Sequence, residues 1–256
     1  LVRRGPAVEL WRAALDNDGV KLLLQDNPED WARKPLDTWL EKGFDRIKTE
    51  TLDFKVAGEE VKITQAVTAP GIGGARLIYH QVIRPLPSEE IELESIFEVP
   101  PEFDDLPRLG VTLELPSEFQ NVAYFGFGPL ENYNDRRCAC WRDLFSSTVD
   151  EMYVPYIMPQ ANGNRTGVNF VALSSEEGIG LTVKTPGILE FSVSRFSENQ
   201  LYAANHTCEL RDEGRIFLHL DLKQRGVGTA SCGPDVSSSY KITSGTYRYV
   251  LRFSAL

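Results

Sequence analysis

The sequence holds only three histidines and four cysteines (Cys138, Cys140, Cys208 and Cys232) in 256 residues. So few cysteines in so long a chain do not make a disulfide-stapled fold, and a reducing, cytoplasmic setting is expected. Cys138 and Cys140 are two apart, not in the Cys-x-x-Cys spacing of zinc or redox sites, and no histidine lies near them. They are expected as structural thiols on one face of a strand. Excess positive charge is also missing. The net charge is −10 and the pI about 4.9, which excludes a broad basic face for nucleic acid. No apolar run reaches the ~20 residues of a membrane helix. The N-terminus, LVRRGPAVELWRAALDNDG, lacks the apolar core of a signal peptide or anchor. It also lacks an initiator methionine, so the chain is expected to be a fragment or a processed piece. Phosphate loops, Ser-His-Asp arrangements and metal-binding motifs are absent, as are repeats and long linkers. One domain across residues 1–256 is expected, with no metal and no cofactor of its own.

Hydrophobic residues make up 42% of the chain and aromatics 10%, enough for one large core. Most segments alternate with period two. Strands are expected at Val61–Thr68, Arg76–Ile83, Ile91–Val99, Arg108–Leu115, Ile179–Thr185, Leu189–Phe196, Arg215–Leu222 and Thr246–Phe253. Pro-Gly, Pro-Ser and Ser-Gly turns separate them. An all-β sandwich or barrel follows. Within Pro28–Ile47, Leu36, Trp39, Leu40 and Phe44 are spaced three, one and four apart, which is helical. Pro35 suits the first turn and Gly43 the end. This short segment near residues 35–43 is the only helix expected.

Tyr124–Gly167 follows neither period. Glycines, prolines, amides, carboxylates and arginines alternate there with aromatics, the composition of a loop-built surface. Glu131 and Asp135 are four residues apart in a loop, which could span the separation of a glycosidase acid pair. Arg136 and Arg137 follow at once, however, and an adjacent arginine lowers a carboxyl pKa where a general acid needs it raised. The pair therefore reads as a charge-fixed loop and not as catalytic. Tyr153 and Tyr156 offer faces on which sugars stack. Gln160, Asn162, Asn164 and Arg165 offer planar hydrogen-bonding groups. A buried, internally satisfied loop is the competing reading. Asp16, Asn17, Asp18 and Gly19 form either a polar contact or cation loop or an Asx-type turn; the ligand series of an EF-hand is missing. His80, His206 and His219 show no spacing that would converge an acid and a base. Asn164-Arg165-Thr166 and Asn205-His206-Thr207 fit the short glycosylation sequon.

GFGPLENYNDR, followed from Met152 by M-Y-x-P-Y-x-x-P-Q-x-N-G-x-R-x-G, resembles the C-terminal domain of the large bacterial β-galactosidases of glycoside hydrolase family 2. LWRAALDNDG resembles the start of that domain, with Ala14 where proline is usual. RGVGTASCGPDV and the Tyr-rich C-terminus resemble its end. The motifs lie in order and span nearly the whole chain. The same unit occurs as the small subunit of heterodimeric β-galactosidases. The resemblance implies a β-supersandwich, galactose-mutarotase-like. It implies retaining hydrolysis of terminal β-D-galactosides, with both catalytic glutamates in a separate barrel domain, so that this chain alone is inactive and has no catalytic residue. The partners it implies are the barrel and sandwich domains, in cis or trans, in an enzyme that forms oligomers and whose barrel uses Mg or Na. In the family a tryptophan near the C-terminus stacks on the aglycone sugar. Cys232 stands at the matching position here and has no ring to stack. The family domain also begins with strands before the position of Leu1, so a truncated N-terminus and an exposed sheet edge are expected.

The substrate-proximal candidates are thus Cys232, Tyr153, Tyr156, Asn162, Arg165, Glu131, Asn132, Asp135, Arg136, Asp16 and Asp18. Two other functions carry the same residues: a carbohydrate-binding module using the loop, and an aldose mutarotase or epimerase using a histidine.

Overall fold

A computed structural model describes residues 1–19, 21, 34–228 and 235–256. Cys232, singled out above, lies outside them. Twelve antiparallel strands are found among the described residues. They are β1 (Arg4–Glu9), β2 (Lys48–Ala57), β3 (Glu60–Thr68), β4 (Leu77–Pro85), β5 (Ile91–Val99), β6 (Arg108–Pro116), β7 (Asn121–Gly128), β8 (Trp141–Thr148), β9 (Arg165–Ser174), β10 (Gly180–Ser194), β11 (Arg215–Gln224) and β12 (Gly245–Ala255). Nine follow one another in the order β1-β6-β11-β10-β12-β5-β4-β3-β2, while β9 joins β10 to β7, and β7 carries β8. The all-β supersandwich class expected above is the class observed.

Alternation explains most of these strands. In β5, Leu93, Ser95, Phe97 and Val99 are buried while the residues between them face out. Glu92 and Glu94 on its outer face pair with Arg252, Arg248 and Arg84 on the flanking strands. Such cross-strand pairs fix register and add little energy each. Inside, Tyr79 stacks on Phe97 at 4.4 Å, and Phe44 on Phe103 at 5.7 Å.

The structure corrects several expectations. Ile179–Thr185 and Leu189–Phe196 are one strand, β10. Its first part pairs with β12 and its second with β11, and the register breaks between Lys184 and Leu189. Pro186 sits at that break, where its missing N–H costs no ladder bond. The Tyr124–Gly167 run is not purely loop, since it contains the end of β7, all of β8 and the start of β9. Glycines and arginines mask the alternation there. Cys138 and Cys140 lie in the turn before β8, not on a strand, and both are free thiols.

Helix α1 (Pro35–Lys42) forms where expected. Leu36 and Trp39 are buried, and Gly43 closes the helix with φ 78°. It is not the only helix. α2 (Val149–Met152) begins with a capping box between Thr148 and Glu151, and α3 (Glu198–Ala203) with a Ser197 cap on the Gln200 N–H. Both are too short to show a period in the sequence. No described helix is long and apolar enough to cross a membrane.

Candidate functional site

The loop after β7 and the loop before β9 are stitched together by groups the sequence suggested would face a ligand. Glu131 Oε1 accepts from Arg136 Nη2 at 2.7 Å and from the Tyr156 hydroxyl, and Oε2 accepts from the Gly163 N–H at 2.9 Å. A carboxylate holding three donors braces the two loops. Asn132 is fully buried. Its amide donates to the carbonyls of Phe127 and Leu130, and its Oδ1 accepts from the Thr166 N–H and hydroxyl.

Arg165 turns inward as well. It donates to the Tyr124 hydroxyl and to the carbonyls of Gly163, Asn164 and Pro129. Asn162 bonds the Val154 N–H and the Gln160 carbonyl. Tyr153 packs edge-on against Phe196 at 5.6 Å. Arg136 stands over the Tyr133 ring at 5.2 Å. The run read as a ligand-facing surface is therefore an internally satisfied one: its polar groups replace the secondary-structure bonds that these loops lack. The Asn164 sequon is buried too, its amide donating to Asn132 O and Glu190 Oε2.

The Asp16–Gly19 turn resolves the same way. Asp18 is fully buried and accepts three times from Arg12, at 2.8 and 3.0 Å from Nη2 and 3.3 Å from Nε, and once from the Leu15 N–H. The exposed Asp16 donates its backbone N–H to Gln160 Oε1. No group of three metal-binding side chains occurs among the described residues.

Asp135 reaches elsewhere. Its Oδ2 accepts from the Gly228 N–H at 2.6 Å, and a Cβ at Gly226 would lie 2.5 Å from that oxygen. On the far side of residues 229–234, Asp235 pairs with Arg225 at 2.6 Å and with Lys241. Arg225 also holds Asp105 at 2.7 Å. The described residues flanking the Cys232 segment are thus anchored on both sides.

What the sequence reading missed is a buried polar face shared by β1, β6, β11 and β10. Register places Ala7, Thr112, His219 and Ser192 in one cross-strand row, and Glu9, Gly110, Asp221 and Glu190 in the next. Arg108 lies at their centre, 2.7 Å from Glu198, 3.1 Å from Asp221 and 3.0 Å from His219 Nδ1. An arginine only donates, so Nδ1 accepts and the imidazole proton sits on Nε2. Burial, helped by the Arg108 charge, holds the His219 pKa well below its ordinary value.

The Thr112 hydroxyl lies 2.7 Å from His219 Nδ1 and 3.4 Å from Glu9 Oε2. Arg108 already takes the single Nδ1 lone pair, so the hydroxyl donates to Glu9 Oε2. Burial pushes Glu9 up to about 7, against the pull of Arg108. Glu190 is likewise pushed to about 7 and Asp221 to about 6, both by burial first. The sequence trace of this face was a polar residue at every second place in AVEL, LEFSVS and FLHLDL, indistinguishable from a solvent face.

The fold favours the protonated forms of these three carboxyls. Their contribution to stability is complete below the ordinary carboxyl range and is lost as pH rises through 6 to 7. Groups held low by ion pairs, such as Asp150 beside Arg195, lose their contribution only in acid. Thermal melting should therefore fall between pH 5.5 and pH 8. Glu9→Gln should melt above the wild type at pH 8, by roughly 2 °C or more, with the advantage gone at pH 5. An equal offset at both values would contradict the shifted Glu9.

The family model described as beta galactosidase small chain matches residues 1–253. The β-galactosidase of Photobacterium profundum is 31% identical over 250 residues, covering 95% of this chain and 23% of that protein. The β-galactosidase of Lactococcus lactis subsp. lactis is 32% identical over 247 residues, covering 94% and 24%. The chain thus spans about a quarter of the length of these curated relatives. Among solved structures, a GalM/aldose epimerase homologue from C. elegans aligns with TM-score 0.44 and 12% identity, over 84% of this chain and 70% of that one.

Proposed function

Because the chain belongs to the β-galactosidase small-chain family, we propose that residues 1–256 are the C-terminal scaffold domain of a retaining family 2 β-galactosidase. Its catalytic glutamates lie in a barrel domain outside this sequence, and its substrates are terminal β-D-galactosides. The observation that carries this reading is the state of Glu131. The best-placed carboxylate of the loop run holds three donors, one of them an arginine. A general acid needs a free, weakly solvated carboxyl, and a retaining pair needs two carboxyls ~5 to 5.5 Å apart in an open cleft. Glu131, held by three donors, is not a free carboxyl. What the loop supplies is rigidity, and rigid support is what positions a site built by another domain.

Any metal belongs to the barrel in this reading. The anchored flanks of residues 229–234, on Asp135, Arg225 and Asp235, are the part of this chain that best meets such a site. With Cys232 where the family has a tryptophan, aglycone stacking is lost and aglycone selectivity is correspondingly weak.

The isolated chain, assayed on o-nitrophenyl β-galactoside, should show no turnover. Coexpressed with the barrel-bearing part of its own protein it should hydrolyse the substrate. Turnover by the isolated chain at the level of an intact enzyme would end this reading.

A further inference from the structure

The strands at the two ends of the sheet path, β1 and β2, line one cavity. Its volume is about 720 Å³, within the range of small-molecule sites. Glu9, Glu198 and His219 line it from the polar face, Thr49 and Gln65 from β2 and β3, and Trp11 from the core. No step of the scaffold role uses it.

The charges of its wall decide what it could hold. Glu198 is paired with Arg108 at 2.7 Å and Glu114 with Arg215 at 2.7 Å. Asp45 lies 3.6 Å from Arg46. Glu9 makes no direct ion pair among the described residues; its oxygens meet the Trp11 N–H and the Thr112 hydroxyl. The fixed charges are therefore close to balance, and an ionic ligand would gain little for its desolvation. The remaining polar groups are neutral and directional. Gln65 uses its carbonyl to accept from Gln81, and its NH₂ has no partner among the described residues. His219 Nε2 is 3.7 Å from Glu198 Oε1, beyond hydrogen-bond length. Glu9 is mostly buried and lines the cavity. Donors and acceptors side by side, next to an indole, match hydroxyl groups, each of which both donates and accepts.

We infer that this cavity is a binding site for a neutral, hydroxyl-rich small molecule of mono- or disaccharide size. It goes beyond the scaffold reading and does not depend on it.

Saturation-transfer NMR and calorimetry on the full chain, with D-galactose and lactose as probes, test the inference. Binding at about 1 mM or tighter is expected for at least one of them. Thr49 is exposed on the rim of the cavity. Thr49→Trp should fill the mouth and weaken binding at least about tenfold without lowering the melting temperature. Glu9→Gln, nearly isosteric, should weaken it several-fold. Glucosamine and inorganic phosphate are the charged probes. The inference is overturned if neither neutral sugar binds, if only a charged probe binds, or if Thr49→Trp leaves the affinity unchanged. Failure of the chain to support a barrel would leave all of these readouts intact, so the two proposals fail separately.

Discussion

Replacing Arg108 by methionine should cost roughly 3–5 kcal/mol, the largest loss expected from any single truncation of charge in this chain. Arg108 is buried and faces Glu198, Asp221 and, at longer range, Glu9. Methionine fills much of its volume, so the loss is electrostatic and not a cavity. Three carboxyls would remain in low dielectric with no cation at their centre. At ~2 to 4 °C per kcal/mol for a chain of this size, the melting temperature should fall by about 6 °C or more, or folded protein should not accumulate at pH 8. Lower pH should rescue the variant in part, because protonation removes the repulsion. Adding Glu198→Gln and Asp221→Asn should recover part of the loss, since contacting residues are not additive. A variant melting within about 2 °C of the wild type would show that this cluster is not held by its arginine.

Gly110→Ala should be nearly as damaging, for a steric reason. Gly110 lies in β6 between Glu9 of β1 and Asp221 of β11. An added Cβ would sit 2.5 Å from Asp221 Oδ1 and 2.6 Å from both the Asp221 Cα and the Leu220 carbonyl oxygen. Two of those atoms are backbone and cannot swing away. The strand must shift, or Asp221 must leave Arg108, at about 3 kcal/mol or more. Gly187→Ala is the control. Its Cβ would meet only Thr185 Oγ1, at 3.9 Å, and should change the melting temperature by no more than about 2 °C. Equal melting of the two variants would refute the close approach at Gly110.

Both predictions concern residues that the sequence did not mark as special. Alternation located β3, β4, β5, β6, β11 and β12 within a residue or two, because one buried face imposes period two on any strand. α1 was legible through Pro35, the Leu36–Trp39–Leu40 spacing and Gly43. β1, β2, β7, β8 and β9 were not read as strands. β2 and β8 are edge strands of largely exposed residues, so no buried face imposes a period on them. β7 and β9 carry glycines where neighbouring chains approach closely: a Cβ at Gly126 would lie 2.4 Å from Val168 Cγ2.

The loop carboxylates show the same limit from the other side. The sequence placed Glu131 beside Arg136, and the pair is real at 2.7 Å. It could not show that Tyr156 and Gly163 also reach Glu131, 25 and 32 residues away. Nor could it tell inward from outward for Arg165, since a buried arginine and a surface one are the same letter. Only its four acceptors decide.

The sequence alone determined the all-β class, the position of α1 and the family to which its motifs point. Each of these follows from local pattern or from contiguous residues. The tertiary structure decided that the loop run is a brace, that Arg108 gathers Glu198 from α3 and His219 and Asp221 from β11, and that β1 and β2 close on one cavity. Those facts depend on which strands become neighbours across as much as 162 residues, from Ile91 to Phe253. That choice is made by burial of the whole sheet, not by any stretch of it.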